Sequence, residues 1–80
     1  MDIKEYSYIL TVAECGGVSE AAKNLYISQP SLSMYIKSLE KRLDTKLFYK
    51  NAGKLYLTDV GRRYIEYAEQ IVALDSSLER

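Results

Sequence analysis

Eighty residues suffice for one domain with one modest core. With no histidine and a single cysteine, the chain lacks the usual ligands of zinc, haem and iron–sulfur sites, cannot close an internal disulfide, and excludes catalytic arrangements that need His, so no metal, cofactor or catalytic residue is expected. Net charge is zero, which argues at first against a nucleic-acid partner, and no run of about 18 apolar residues is present to span a membrane.

Asp2 with Glu5 three residues on makes an aspartate version of a capping box, and behind it Ile3, Tyr6, Ile9, Leu10 and Ala13 recur at helical spacing. Gly16-Gly17 ends that helix, because glycine readily takes the left-handed conformation past a helix C-terminus. Val18-Ser19 opens a second, short helix with Ser19 as the expected N-cap. Ala21, Ala22 and Leu25 form its inner face, the alanines being small enough for another helix to cross closely. Tyr26-Ile27 is a brief connection. Ser28-Gln29-Pro30 then starts a third helix: Ser28 caps, and Pro30 sits in the first turn, where its missing N–H costs nothing.

Along the third helix Leu32, Ile36, Leu39 and Leu43 fall on one stripe, while Pro30, Met34, Lys37 and Lys41 point the opposite way, flanked by Ser31, Ser33 and Ser38. Lys46–Lys50 reads as a short strand, Asn51-Ala52-Gly53 as a turn and Lys54–Leu57 as the return strand. A lone hairpin is marginal in water, so this one is expected to lie on the helices. Thr58 caps a last helix with Asp59 in its first turn, where the dipole favours an acid. That helix carries two apolar rows, Ile65, Ala68, Val72 and Tyr64, Tyr67, Ile71, Leu74, Leu78. One row is expected to pack on the domain's own core and the other on a partner helix.

Charge is unevenly spread. From Lys23 to Lys54 there are seven basic residues against two acidic; the remainder has four basic against nine acidic. A basic middle is where a polyanion docks. A short helix, a tight turn and a second helix whose outer face is small, polar or basic form the pattern of a helix-turn-helix. The major groove of DNA is about 12 Å wide and admits one helix whose outer side chains are compact near its start. Gln29 can meet adenine through its amide or hold a phosphate, and the basic hairpin is placed as a wing. Cys15 reads as a small core or edge residue, and Tyr6, Tyr64 and Tyr67, on helical apolar stripes, as core or interface rather than base-stacking platforms.

Ala21-Ala22-Lys23-Asn24-Leu25-Tyr26-Ile27-Ser28-Gln29-Pro30-Ser31-Leu32-Ser33, then Ile36-Lys37-Ser38-Leu39-Glu40, Leu47-Phe48 and Leu57-Thr58-Asp59-Val60-Gly61 resemble the signature of LysR-type bacterial transcription regulators. The likeness runs from the first residues to about Leu78. It implies a winged helix-turn-helix, a long linker helix that dimerises antiparallel with its partner's, and a C-terminal effector-sensing domain of roughly two hundred further residues that this chain lacks. Ser28, Gln29, Pro30, Ser31, Ser33 and Lys37 fall where the family contacts bases and phosphates, and Lys50 and Lys54 where its wing touches DNA. Position 34, commonly Arg in the family, is Met34. Arg would offer a fork to guanine, whereas Met offers only an apolar contact, for example to a thymine methyl.

The expectation is therefore a mainly α fold: a winged helix-turn-helix of three helices and a two-stranded wing over 1–57, with the helix-turn-helix at about 18–37, then a linker and dimerisation helix over 58–80. Expected DNA contacts are Ser28, Gln29, Pro30, Ser31, Ser33, Met34, Lys37, Lys41, Lys50 and Lys54; expected dimer contacts are Tyr64, Tyr67, Ile71, Leu74 and Leu78. The expected partners are double-stranded DNA carrying an imperfect palindrome and a second copy of the chain, with a small-molecule effector only for the missing domain and no membrane. The expected setting is the bacterial cytoplasm. The alternative is a winged-helix module that binds protein, which predicts an acidic or apolar face on the third helix.

Overall fold

The computed structural model describes the backbone of residues 3–78 and the side chains as far as residue 75, so that Asp2, the expected first cap, lies outside the described residues. Helices α1 (Ile3–Cys15), α2 (Val18–Leu25) and α3 (Gln29–Leu43) come first; strands β1 (Phe48–Asn51) and β2 (Lys54–Leu57) follow; α4 (Asp59–Leu78) closes the chain. The fold is a mainly α winged helix-turn-helix carrying a long last helix, as the element pattern predicts. Helix α1 lies between α2 and α4. Its Ile9 and Val12 meet Ala21 and Ala22 of α2, Leu32, Ile36 and Leu39 of α3, and Leu47 and Phe48 at the foot of the wing in one core. Among the described residues no helix is long and apolar enough to cross a membrane.

Local chemistry sets the element ends, and the start of α2 departs from expectation. Gly16 turns left-handed (φ 69°) and Gly17 runs extended, so Gly17 is the N-cap of α2 and makes no side-chain capping bond. Ser19, the expected cap, instead sits exposed in the first turn, because the helix has already begun at Val18. Leu43, placed by periodicity on the buried stripe of α3, is 40% exposed, whereas Glu40 beside that stripe is buried. At the other end of α3 the cap is as expected: Ser28 Oγ accepts the Ser31 N–H at 3.2 Å, with Pro30 in the first turn.

In the wing Phe48 pairs with Leu57 and Asn51 with Lys54, closing a two-residue turn at Ala52 and Gly53. Both turn residues are left-handed (φ 52° and 78°), the hand that suits the twist of a hairpin. Four bonds hold the wing and its base in place. The Gly16 carbonyl accepts the Leu55 N–H at 3.1 Å; Glu40 Oε2 accepts the N–H groups of Leu47 and Phe48 at 2.7 and 3.3 Å; and the Leu47 carbonyl accepts the Thr58 N–H at 3.0 Å. Thr58 also donates its hydroxyl to the Lys46 carbonyl and accepts the Gly61 N–H, capping α4 as expected.

Helix α4 is fixed to α1 by the fully buried Ala68 and by Tyr64, whose ring stacks on Tyr6 at 5.8 Å. Glu5, close by, pairs with Arg42 at 2.5 Å and ties the start of α1 to the end of α3. Burial pushes the Tyr64 phenol up from 10.0 to about 12, with Tyr6 and Glu5 adding to the rise and Arg42 opposing it. The folded state thus holds this proton more tightly than the unfolded chain. Its contribution is intact below pH 10.0 and is lost as pH rises from there through about 12. Tyr64→Phe is therefore expected to lose less stability than the parent between neutral pH and about pH 11 in urea titrations. Parallel losses in the two proteins would show that Tyr64 carries no part of the alkaline transition.

Candidate nucleic-acid interface

Helix α3 presents the polar face that its spacing predicts. Leu32, Ile36 and Leu39 are buried, while Gln29, Pro30, Ser31, Met34, Lys37 and Lys41 are exposed and Ser33 is partly so. No acidic residue occupies the first turn, so nothing there opposes an anion at the helix start. Ser28 is exposed but already engaged: besides capping, its hydroxyl donates to Ser31 Oγ at 2.8 Å. A Ser28→Ala change would therefore disturb the helix start as well as any ligand contact.

Between α3, the start of α2 and the wing runs a groove lined among others by Ser19, Gln29, Ser33, Lys37, Lys46 and Lys50. Lys37, Lys46 and Lys50 are all exposed along it, whereas the acid in its wall, Glu40, is buried and bonded to the Leu47 and Phe48 N–H groups. The groove is thus edged by cations. Pro30, Met34 and Lys41 are absent from its lining and form a ridge beside it on the outer side of α3.

The two wing lysines part company. Strand alternation puts Lys50 on the face of Phe48, towards the groove, and Lys54 on the opposite face beside Tyr49 and Tyr56, whose rings stack at 5.7 Å. Lys54 does not line the groove. Lys46, which sequence patterning places only in the general basic middle, does line it, and it also borders a shallower depression with Lys37 and Lys41 near the end of α3. Its Nζ lies 3.9 Å from the Glu40 carboxylate, a contact that residue spacing alone does not reveal.

The five residues of the second α4 row are also divided. Tyr67 and Leu74 are 66% and 63% exposed, Ile71 is half-buried, and Tyr64 leans on Tyr6 of its own chain. The Leu78 side chain lies outside the described residues. Tyr35 packs edge-on against Tyr8 at 5.0 Å, at the margin of the core. Cys15 is partly buried and accepts a bond from Asn24 Nδ2 at 3.4 Å.

Known proteins resemble the chain in sequence and in fold. A regulator of Bacillus subtilis, described as the uncharacterized HTH-type transcriptional regulator YcgK, is 44% identical over 80 residues, all of this chain and 25% of that protein. The HTH-type transcriptional regulator TfdT of Cupriavidus pinatubonensis is 39% identical over 74 residues, 92% of this chain and 32% of that one. The chain thus spans about a quarter to a third of the length of these relatives. Among solved structures, the DNA complex of the CbnR DNA-binding domain superposes with a TM-score of 0.91 at 30% identity, covering 99% of this chain and 91% of that one. The BenM domain bound to catB site 1 DNA gives 0.92 at 27% identity, covering 98% and 87%. The family profile described as "Bacterial regulatory helix-turn-helix protein, lysR family" matches residues 3–62. The chain belongs to the lysR family of bacterial regulatory helix-turn-helix proteins.

Proposed function

We propose that this chain binds double-stranded DNA sequence-specifically as the reading part of a bacterial transcription regulator, with α3 in the major groove and the wing against the neighbouring backbone. The observation that carries this reading is the outer side of α3. It is open to solvent, free of acid in its first turn, and bordered by Lys37, Lys46 and Lys50. The CbnR and BenM domains whose structures it resembles were solved on DNA. In this reading residues 1–57 are the reading head and 58–80 a linker through which two copies join, Tyr67, Ile71 and Leu74 facing the partner. Two α3 helices then meet the halves of an imperfect palindrome. The work is binding rather than catalysis, in the bacterial cytoplasm, and any small-molecule effector engages a further domain.

Phosphate contacts make such binding salt-dependent, each neutralised phosphate adding about 0.9 to the slope of log affinity against log salt. Lys37→Ala and Lys50→Ala are each expected to weaken binding to every sequence and to reduce that slope by about one. Titrations of a labelled duplex at several salt concentrations read both quantities. An unchanged slope in both variants removes this face from the interface. No retardation of mixed genomic fragments by micromolar protein at low salt turns the reading towards a protein-binding module.

A further inference from the structure

We propose that Met34 reads the 5-methyl group of a pyrimidine in the major groove, so that a methylated pyrimidine at one position of each half-site is a determinant this chain selects. The inference rests on the DNA-binding reading above. Met34 is 71% exposed in the middle of α3. Pro30 and Ser31 lie one turn before it on the same side and Lys37 and Ser38 one turn after, all of them exposed. Two other exposed rings on α3 and the wing lean on aromatic neighbours: Tyr35 packs on Tyr8, and Tyr49 on Tyr56. Met34 instead stands among polar and cationic groups, on the ridge that meets base edges if α3 enters the groove.

Chemistry then narrows what it can recognise. A thioether donates no hydrogen bond and accepts only weakly, so guanine O6 and N7 and the amino groups of adenine and cytosine find no good partner there. The apolar group that bases offer in this groove is the methyl at pyrimidine C5, carried by thymine and by 5-methylcytosine. Three rotatable bonds and a polarisable sulfur let methionine settle against it. Removing one buried methyl costs about fourfold in affinity.

The test begins with duplexes selected by this chain from a random pool. In the best duplex each thymine is replaced singly by uracil, which lacks the methyl, and affinities are measured for the parent and for Met34→Ala. The expected result is one thymine per half-site whose loss of methyl weakens the parent by about fourfold and leaves Met34→Ala unaffected. At that position 5-methylcytosine should bind the parent better than cytosine if the methyl alone is read. A preference for thymine with no gain from 5-methylcytosine would mean that the rest of the thymine edge is needed as well, still through Met34. Met34→Arg should move the preferred base there to guanine. A flat uracil scan, or a methyl effect that persists in Met34→Ala, overturns the inference while leaving DNA binding intact; failure to select any sequence overturns the DNA-binding reading itself.

Discussion

Alanine in place of Glu40 is expected to lower the unfolding free energy by about 2–6 kcal/mol, read as a fall in the urea midpoint at nearly constant slope. A domain of 80 residues has about 4–12 kcal/mol in all, so the loss is a large part of the total. The reason is the arrangement of one oxygen. Glu40 Oε2 accepts two backbone N–H groups, those of Leu47 and Phe48, at the point where the chain leaves the helices for the wing. Both side chains that follow are in the core, so these donors cannot simply turn to water. Alanine leaves them without an acceptor, at about 1–3 kcal/mol each. Glu40→Gln is the control, because an amide oxygen can take the same place. It should lose only about 1 kcal/mol, from the weaker acceptor. Equal losses in the two variants would shift the weight from the N–H groups to the charge and its neighbour Lys46. Hydrogen exchange at the Leu47 and Phe48 amides gives a second readout: it should accelerate in the alanine variant and stay slow in the glutamine one.

Gly61→Ala should destabilise, although it puts a better helix former into a helix. Intrinsic propensity alone favours alanine there by up to about 1 kcal/mol. Packing reverses the sign. A β-carbon at Gly61 would stand 2.1 Å from the Leu47 carbonyl oxygen and 3.1 Å from its carbon. That carbonyl is backbone already bonded to the Thr58 N–H at 3.0 Å, so it has no flexible end to swing aside. Relieving such a clash costs about 1–3 kcal/mol or more, and each kcal/mol lowers the melting temperature of a domain this size by about 4–8 °C. Gly17→Ala is the comparison. Its β-carbon would meet nothing within 4 Å, and its backbone (φ −176°) is one alanine adopts, so its melting point should stay close to the parent's. A melting point for Gly61→Ala above the parent's would mean that α4 does not need this close approach.

Much of this was legible in the residues because the forces involved are local. Ser28 with Pro30, and Thr58 with Asp59, mark helix starts through capping and dipole chemistry acting within one turn, and the structure puts helices there. The outer side of α3 follows from periodicity for the same reason. What patterning missed is long-range. The first strand begins at Phe48 rather than Lys46, because Leu47 gives its N–H to Glu40 and keeps only its carbonyl bond to Thr58, the residue opposite it. Glu40 itself reads as a surface charge by composition, and only its two N–H partners, seven and eight residues on, explain its burial. Ser19 failed as a cap because the chain reverses through Gly16 and reaches helical geometry one residue early. The opposite orientations of Lys50 and Lys54 depend on strand register, which a count of basic residues does not contain.

The joint at Thr58 has a mechanical side. One residue separates β2 from α4, and that residue is bonded at once to Lys46 and Leu47, which lead into the hairpin, and to the first turn of the helix after it. There is no slack at the joint to absorb a twist. Any tilt imposed far along α4 must arrive at the hairpin as movement of a stiff lever. If two copies join through α4, as proposed, the angle between them sets the distance between their two hairpins.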